Sequence, residues 1–196
     1  MRRLFAPVAV LLALGIAACG PAAPKFRGSD ITGVGYGHDF HLNDPAGKAR
    51  TLADFRGKVV VLFFGYTQCP DVCPTTLSEL AAAVKELGPD AARVQVLFVT
   101  VDPERDTPEL LSRYVPAFNP TFLGLYGDAA ATAATAKEFK IIYQKQPGPT
   151  PGTYSVDHSA GTYLFDPQGR LRLYESFSQG PDAFAHDIGE LLKSSG

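Results

Sequence analysis

Two cysteines four positions apart, Cys69 and Cys73 in the run Phe64-Gly65-Tyr66-Thr67-Gln68-Cys69-Pro70-Asp71-Val72-Cys73-Pro74, are the residues of this chain best suited to chemistry. The third cysteine, Cys19, stands near the N-terminus. Thiolate is the form of cysteine that attacks disulfides and binds metals. A disulfide between Cys69 and Cys73 closes too small a loop to restrict the unfolded chain much, so chemistry explains the pair better than stapling does. The C-x-x-x-C spacing has one residue more than the C-x-x-C redox motif. It lets the sulfurs splay enough to share one soft ion while still allowing a disulfide.

Two thiolates alone make a weakly specified site, and the histidines are the candidates to complete it. His38 lies in a region that reads as tether, and His41 alternates with Phe40 and Leu42 and so points away from the core. His186 is two residues from both Phe184 and Ile188, on the wet face of its helix. These three read as solvated surface residues. His158 differs, because it sits in Val156-Asp157-His158-Ser159-Ala160-Gly161, at the start of a predicted strand and directly after a long loop. On spacing alone, 85 residues from Cys73, a hydrogen-bonded structural histidine is the commoner reading. Asp157 is placed to hold His158 through a hydrogen bond, as metal-binding imidazoles require, or to cap the loop. The acidic stretch Asp102-Pro103-Glu104-Arg105-Asp106 reads as a structural turn and helix cap with a partner-facing edge.

The elements that must position these residues follow from periodicity. Val59-Val60-Val61-Leu62-Phe63-Phe64 is a continuous apolar run between Gly57-Lys58 and Gly65, the mark of a strand buried on both faces. Leu77, Leu80, Val84 and Leu87 recur at helical spacing until Gly88-Pro89 ends them. Pro74 suits the first helical position, which makes Cys73 the cap residue, with Thr76 and Glu79 as a later capping box in second place. Either choice puts both sulfurs near a helix N-terminus, where free N–H groups and the dipole favour thiolate. A strand is predicted over 94–101, a helix from Pro108 capped by Thr107, a strand over 122–126, a helix over 129–139 and a short strand over 141–143. Residues 144–157, with three prolines and two glycines, read as a long exposed loop. A hairpin across Pro167-Gln168-Gly169-Arg170 and a C-terminal helix complete an α/β order, a mixed sheet with helices on both faces.

At the N-terminus, Arg2 and Arg3 precede an apolar stretch from Leu4 to Ile16 that is too short to span a bilayer comfortably. The run Ile16-Ala17-Ala18-Cys19 resembles a bacterial lipobox, which implies a signal peptide over 1–18 and lipid attachment at Cys19; an uncleaved membrane anchor is the alternative. Both put the rest of the chain outside the cytoplasm, in the periplasm or extracytoplasmic space. Residues 19–37, rich in glycine, proline and alanine, read as a flexible tether, and 38–196 as one domain. Cleavage before Cys19 removes two arginines and no acid, which takes the formal charge from −2 to −4. Such a surface argues against nucleic acid.

Three segments together, Gly65 to Pro74, Val101 to Pro108 and Asp157-His158-Ser159, resemble the Sco/SenC family of copper chaperones over about residues 38–194. The resemblance implies a thioredoxin-like fold that binds one copper ion, as Cu(I) or Cu(II), through Cys69, Cys73 and His158. In such folds the start of the strand at His158 faces the cysteine turn, where a proline is usual. The resemblance also implies a role in assembling the dinuclear copper centre of cytochrome c oxidase. Its partners are then the copper-centre subunit, other periplasmic copper carriers or thiol reductants, and the membrane through the lipid. Two thiolates and an imidazole are a soft set that suits Cu(I) and accommodates Cu(II); zinc with a water is the rival for the same ligands. The alternative function is a thiol-disulfide oxidoreductase that reduces the cysteines of the apo-oxidase subunit. A peroxidase is disfavoured, because Tyr66-Thr67-Gln68-Cys69 misses the T-x-x-C pattern by one residue.

Overall fold

A computed structural model describes residues 24–194; the lipobox and Cys19 lie outside them. In chain order the elements are β1 (Ser29–Asp30), β2 (Leu42–Asn43), β3 (Ala49–Arg50), β4 (Val59–Gly65) and α1 (Val72–Glu86). There follow β5 (Val94–Thr100), α2 (Pro108–Tyr114), β6 (Leu123–Leu125), α3 (Ala129–Glu138), β7 (Tyr143–Pro147) and β8 (Tyr154–His158). The chain closes with β9 (Thr162–Phe165), β10 (Leu171–Glu175) and α4 (Pro181–Lys193).

The main sheet has the order β1-β10-β9-β4-β5-β6. Its β4, β5 and β6 run parallel, while β9, β10 and β1 add to the other side of β4 in antiparallel fashion. Every residue of β4 is buried, and its side chains alternate between two cores as a strand requires. Val59, Val61 and Phe63 join α1, α2 and α4 on one face. Val60, Leu62 and Phe64 join Ala136 and Phe139 at α3, Leu42 of β2, and the 3-10 turn Leu52–Phe55 on the other. This is the mixed sheet with helices on both faces that the sequence order predicts, in a thioredoxin-like arrangement. Its central strand points straight at the cysteine turn.

Three local expectations are corrected. α1 begins at Val72 with Asp71 as its N-cap residue, so Pro74 occupies the third helical position and not the first. The first N–H groups of any helix lack intrahelical partners, so proline costs nothing at either place. The expected loop over 144–157 is instead the β7–β8 hairpin, with Tyr143 opposite His158 and Lys145 opposite Val156. Pro147 falls at a strand end and Pro149 and Pro151 in the turn, which leaves the strand N–H groups free to pair. The tether, expected to run to residue 37, is in part laid on the domain: Ser29 and Asp30 pair with Tyr174 and Leu173. The backbone N–H groups of Arg27 and Gly28 donate to the buried Asp187 carboxylate.

Candidate metal centre

The cysteine turn is built on the rigid end of β4. Gly65 is the last residue of that strand, and a Cβ there would lie 2.7 Å from Cys73 Sγ and 2.8 Å from the Phe98 ring. Only glycine lets the buried sulfur sit against the strand backbone. The chain then turns, with Cys69 N–H donating to the Tyr66 carbonyl (3.2 Å), and enters α1. Cys73, in the first helical turn, is fully buried against Leu77 and Phe63, whereas Cys69 is half-buried. Both are free thiols. The Cys73 backbone N–H, one of the unpaired donors at the helix start, points at Cys69 Sγ at 3.4 Å.

His158 reaches the same place from the end of β8. Its Nε2 lies 3.5 Å from Cys73 Sγ, and its Nδ1 lies 2.9 Å from the Ser159 carbonyl. A carbonyl only accepts, so Nδ1 carries the proton and the lone pair of Nε2 faces the sulfurs. The second partner of the imidazole is therefore Ser159 and not Asp157, whose side chain is exposed on the hairpin and contributes only its charge. Phe63 and Tyr66 pack edge-on to the imidazole, with ring centroids 6.3 and 5.9 Å away. The ligand atoms of Cys69, Cys73 and His158 all lie within 4.8 Å of one another.

Burial sets the protonation of the metal-free site. It pushes the Cys73 thiol far above its ordinary range, against the pull of the Tyr66 backbone N–H, and the Cys69 sulfur adds to the rise. Burial likewise lowers His158, outweighing the Ser159 carbonyl and the Asp157 charge. The resting pair is then a neutral thiol beside a neutral imidazole. For Cys73 this corrects the expectation that the helix dipole favours thiolate: desolvation of a buried sulfur outweighs a dipole felt only at the first turn. The soft donor set fits a soft metal ion, whose charge offsets what burial opposes.

Beneath the turn, the acidic loop is structural, as its sequence suggested. Asp106 is buried and accepts from Thr67 N–H (3.0 Å), Thr67 Oγ1 (2.6 Å) and Thr100 Oγ1 (2.6 Å), which fastens the turn to the end of β5. Thr107 caps α2 through Leu110 N–H. Asp102, also buried, is ion-paired with Arg105 and accepts from Tyr154 Oη at 2.8 Å. Arg105, Tyr154 and Tyr66 are the neighbours of the site that sequence reasoning missed. The Asp102–Asp106 stretch was a visible signal, but its partner across the gap sat in a segment read as loop.

The other histidines lie elsewhere. His41 is exposed, and His38 is exposed and hydrogen-bonded to Glu138 at 2.8 Å. His186, expected on a wet face, is half-buried and bonded to the buried Asp187 at 2.8 Å.

Against known proteins, a family model described as SCO1/SenC matches residues 30–193. The chain belongs to the SCO1/SenC family. The match runs from the second residue of β1 to the last residue of α4, so the SCO1/SenC unit coincides with the main sheet and its helices. The human protein SCO2 homolog, mitochondrial, is 41% identical over 157 residues, 79% of this chain and 59% of that protein. The chain thus spans well under two thirds of that relative. The structure of Bradyrhizobium japonicum ScoI with copper bound is 39% identical with a TM-score of 0.73, covering 80% of this chain and 99% of that one. Apo Sco1 from Thermus thermophilus is 45% identical with a TM-score of 0.73, covering 89% and 99%.

Proposed function

We propose that this protein carries one copper ion on Cys69, Cys73 and His158 and delivers it to the dinuclear copper centre of cytochrome c oxidase. The observation that supports this most is the convergence, within 4.8 Å, of two sulfurs and one imidazole from chain positions 85 residues apart. Two soft thiolates and a neutral Nε2 suit Cu(I), accommodate Cu(II) and leave a position for a partner's ligand to enter during transfer. Each copper taken up displaces the Cys73 proton. Copper-bound ScoI, with 39% identity, is consistent with the same cargo.

The test is titration of the purified protein with each copper oxidation state under reducing conditions, alongside His158→Ala and Cys73→Ser. One ion per chain is expected. His158→Ala should weaken retention and abolish oxidase assembly while Cys69 and Cys73 still cycle between dithiol and disulfide; Cys73→Ser should remove both properties. Full oxidase activity in His158→Ala cells at limiting copper would sink the reading.

The second reading, a thiol-disulfide oxidoreductase acting on the apo-oxidase subunit, is favoured by one feature: the half-buried Cys69 sulfur receives a helix N-terminal N–H. It would then replace copper delivery. The layout proposed around the site is a signal peptide over 1–18, lipid on Cys19 and an extracytoplasmic domain, and what supports it is the run Ile16-Ala17-Ala18-Cys19 behind Arg2, Arg3 and a short apolar stretch. Cys19→Ser should release the protein from membranes or leave the precursor uncleaved, and normal processing with retention at the membrane would count against the anchor.

A further inference from the structure

The hairpin that carries His158 has little apolar purchase on the domain, since Val156 is the one buried residue of β8 and none of β7 is buried. A polar tie makes up for this. Arg105 Nη1 donates both to the Tyr154 carbonyl in β8 (2.7 Å) and to Gln68 Oε1, beside Cys69 (3.2 Å). Its Nε donates to the buried Asp102 carboxylate. Its guanidinium lies 3.6 Å from the centroid of the Tyr154 ring and 5.6 Å from that of Tyr66. Tyr66 in turn meets His158 edge-on, and Tyr154 Oη returns to Asp102. The one side chain therefore touches the cysteine turn, the histidine hairpin and the ring between them.

We infer that Arg105 is a positioning residue that sets how far His158 stands from the cysteine pair. The inference rests on the copper reading for its consequence but not for its geometry. A planar guanidinium stacks on one ring and bridges two acceptors at once; an ammonium at the same place keeps the charge beside Asp102 and loses both the stacking and the fork. Partners that orient a ligating imidazole from outside the ligand set commonly govern metal affinity.

The experiment compares Arg105→Lys with Tyr154→Leu, which leaves the Asp102–Arg105 ion pair intact and guards against a variant that merely fails to fold. Each should lower Cu(II) affinity by about 10- to 100-fold and shift the sulfur-to-copper charge-transfer absorption. In a His158→Ala background neither should lower the residual affinity further, because the effect passes through the imidazole. Equal losses in both backgrounds would mean that Arg105 only stabilises the domain, and would overturn the inference. In metal-free protein, proton contacts between the His158 and Tyr66 rings should weaken in Arg105→Lys while those between β7 and β8 persist. Unchanged ring contacts would overturn it as well. If wild type and His158→Ala hold copper equally, the copper reading has failed, and the ring contacts still decide the role of Arg105.

Discussion

The two halves of the candidate metal centre are held in opposite ways. The cysteine turn continues β4, whose seven residues are all buried between two cores, and Cys73 has no exposed surface. The histidine comes from a two-stranded sheet outside the main one, with mostly polar, partly exposed strands. Hydrophobic burial fixes the sulfurs, while hydrogen bonds and stacking through Arg105 fix the imidazole. Local opening free energy follows buried contact, so the sulfurs form a fixed platform and His158 is the candidate ligand that can swing away. The carrier role proposed above requires such a difference, since a donor set rigid on every side has no low-energy route to open.

The largest effect should come from damaging the platform. Gly65→Val forces a side chain into the Cys73 sulfur and the Phe98 ring, and should cost about 3 kcal/mol in denaturant unfolding. If Gly65→Val were as stable as wild type, the turn would be as yielding as the hairpin and the contrast would vanish.

A second expected effect, of similar kind, concerns the acids that the framework buries. Burial, and next to it the Asp187 carboxylate, raise Glu175 from its ordinary 4.5 to about 8. Burial also works against charge on Asp187, but the neighbouring Glu175 carboxyl and the bonds from Gly28 N–H, His186 and Arg27 N–H outweigh that and hold it low. Between 4.5 and about 8 the folded protein keeps a proton on Glu175 that the unfolded chain releases. Stability should therefore fall as pH rises through that window and level off above it. Glu175→Gln should flatten the slope and leave the protein more stable than wild type at pH 8, as read by thermal unfolding across pH. A slope as steep in Glu175→Gln would place its origin elsewhere.

Copper uptake should sharpen the comparison from the other side. Because burial keeps Cys73 protonated, copper bound as proposed would have to displace that proton, and affinity should rise by about tenfold per pH unit for each proton displaced. Competition titrations at two pH values measure it. An affinity independent of pH would show that the resting sulfur is already thiolate.

The smallest effect is expected in hydrogen exchange. In metal-free protein the β7–β8 amides should exchange faster than those of β4 and β5, and copper should slow the hairpin alone. Equal protection of the hairpin with and without copper would mean that His158 is as fixed as the cysteines.

Much of this was legible in the sequence because it is local. The apolar run over 59–64, the heptad-like spacing from Leu77 to Leu87 and the Thr107-Pro108 cap each announce an element from neighbouring residues alone, and the structure places them within a residue or two. Cys69 and Cys73 were readable as a pair for the same reason, and three short segments carried the family resemblance. The β7–β8 hairpin was not legible, since polar strands without alternation look like loop until a partner strand supplies their hydrogen bonds. What tertiary structure alone decided is the approach of His158 to Cys73 and the burial that holds Cys73 as a thiol. It also decided the span of Arg105 between Gln68 and Tyr154. Residue types and spacing state which donors are available. Whether they meet, and with which protons, depends on desolvation and on contacts between segments far apart in the chain, and these exist only once the sheet has formed.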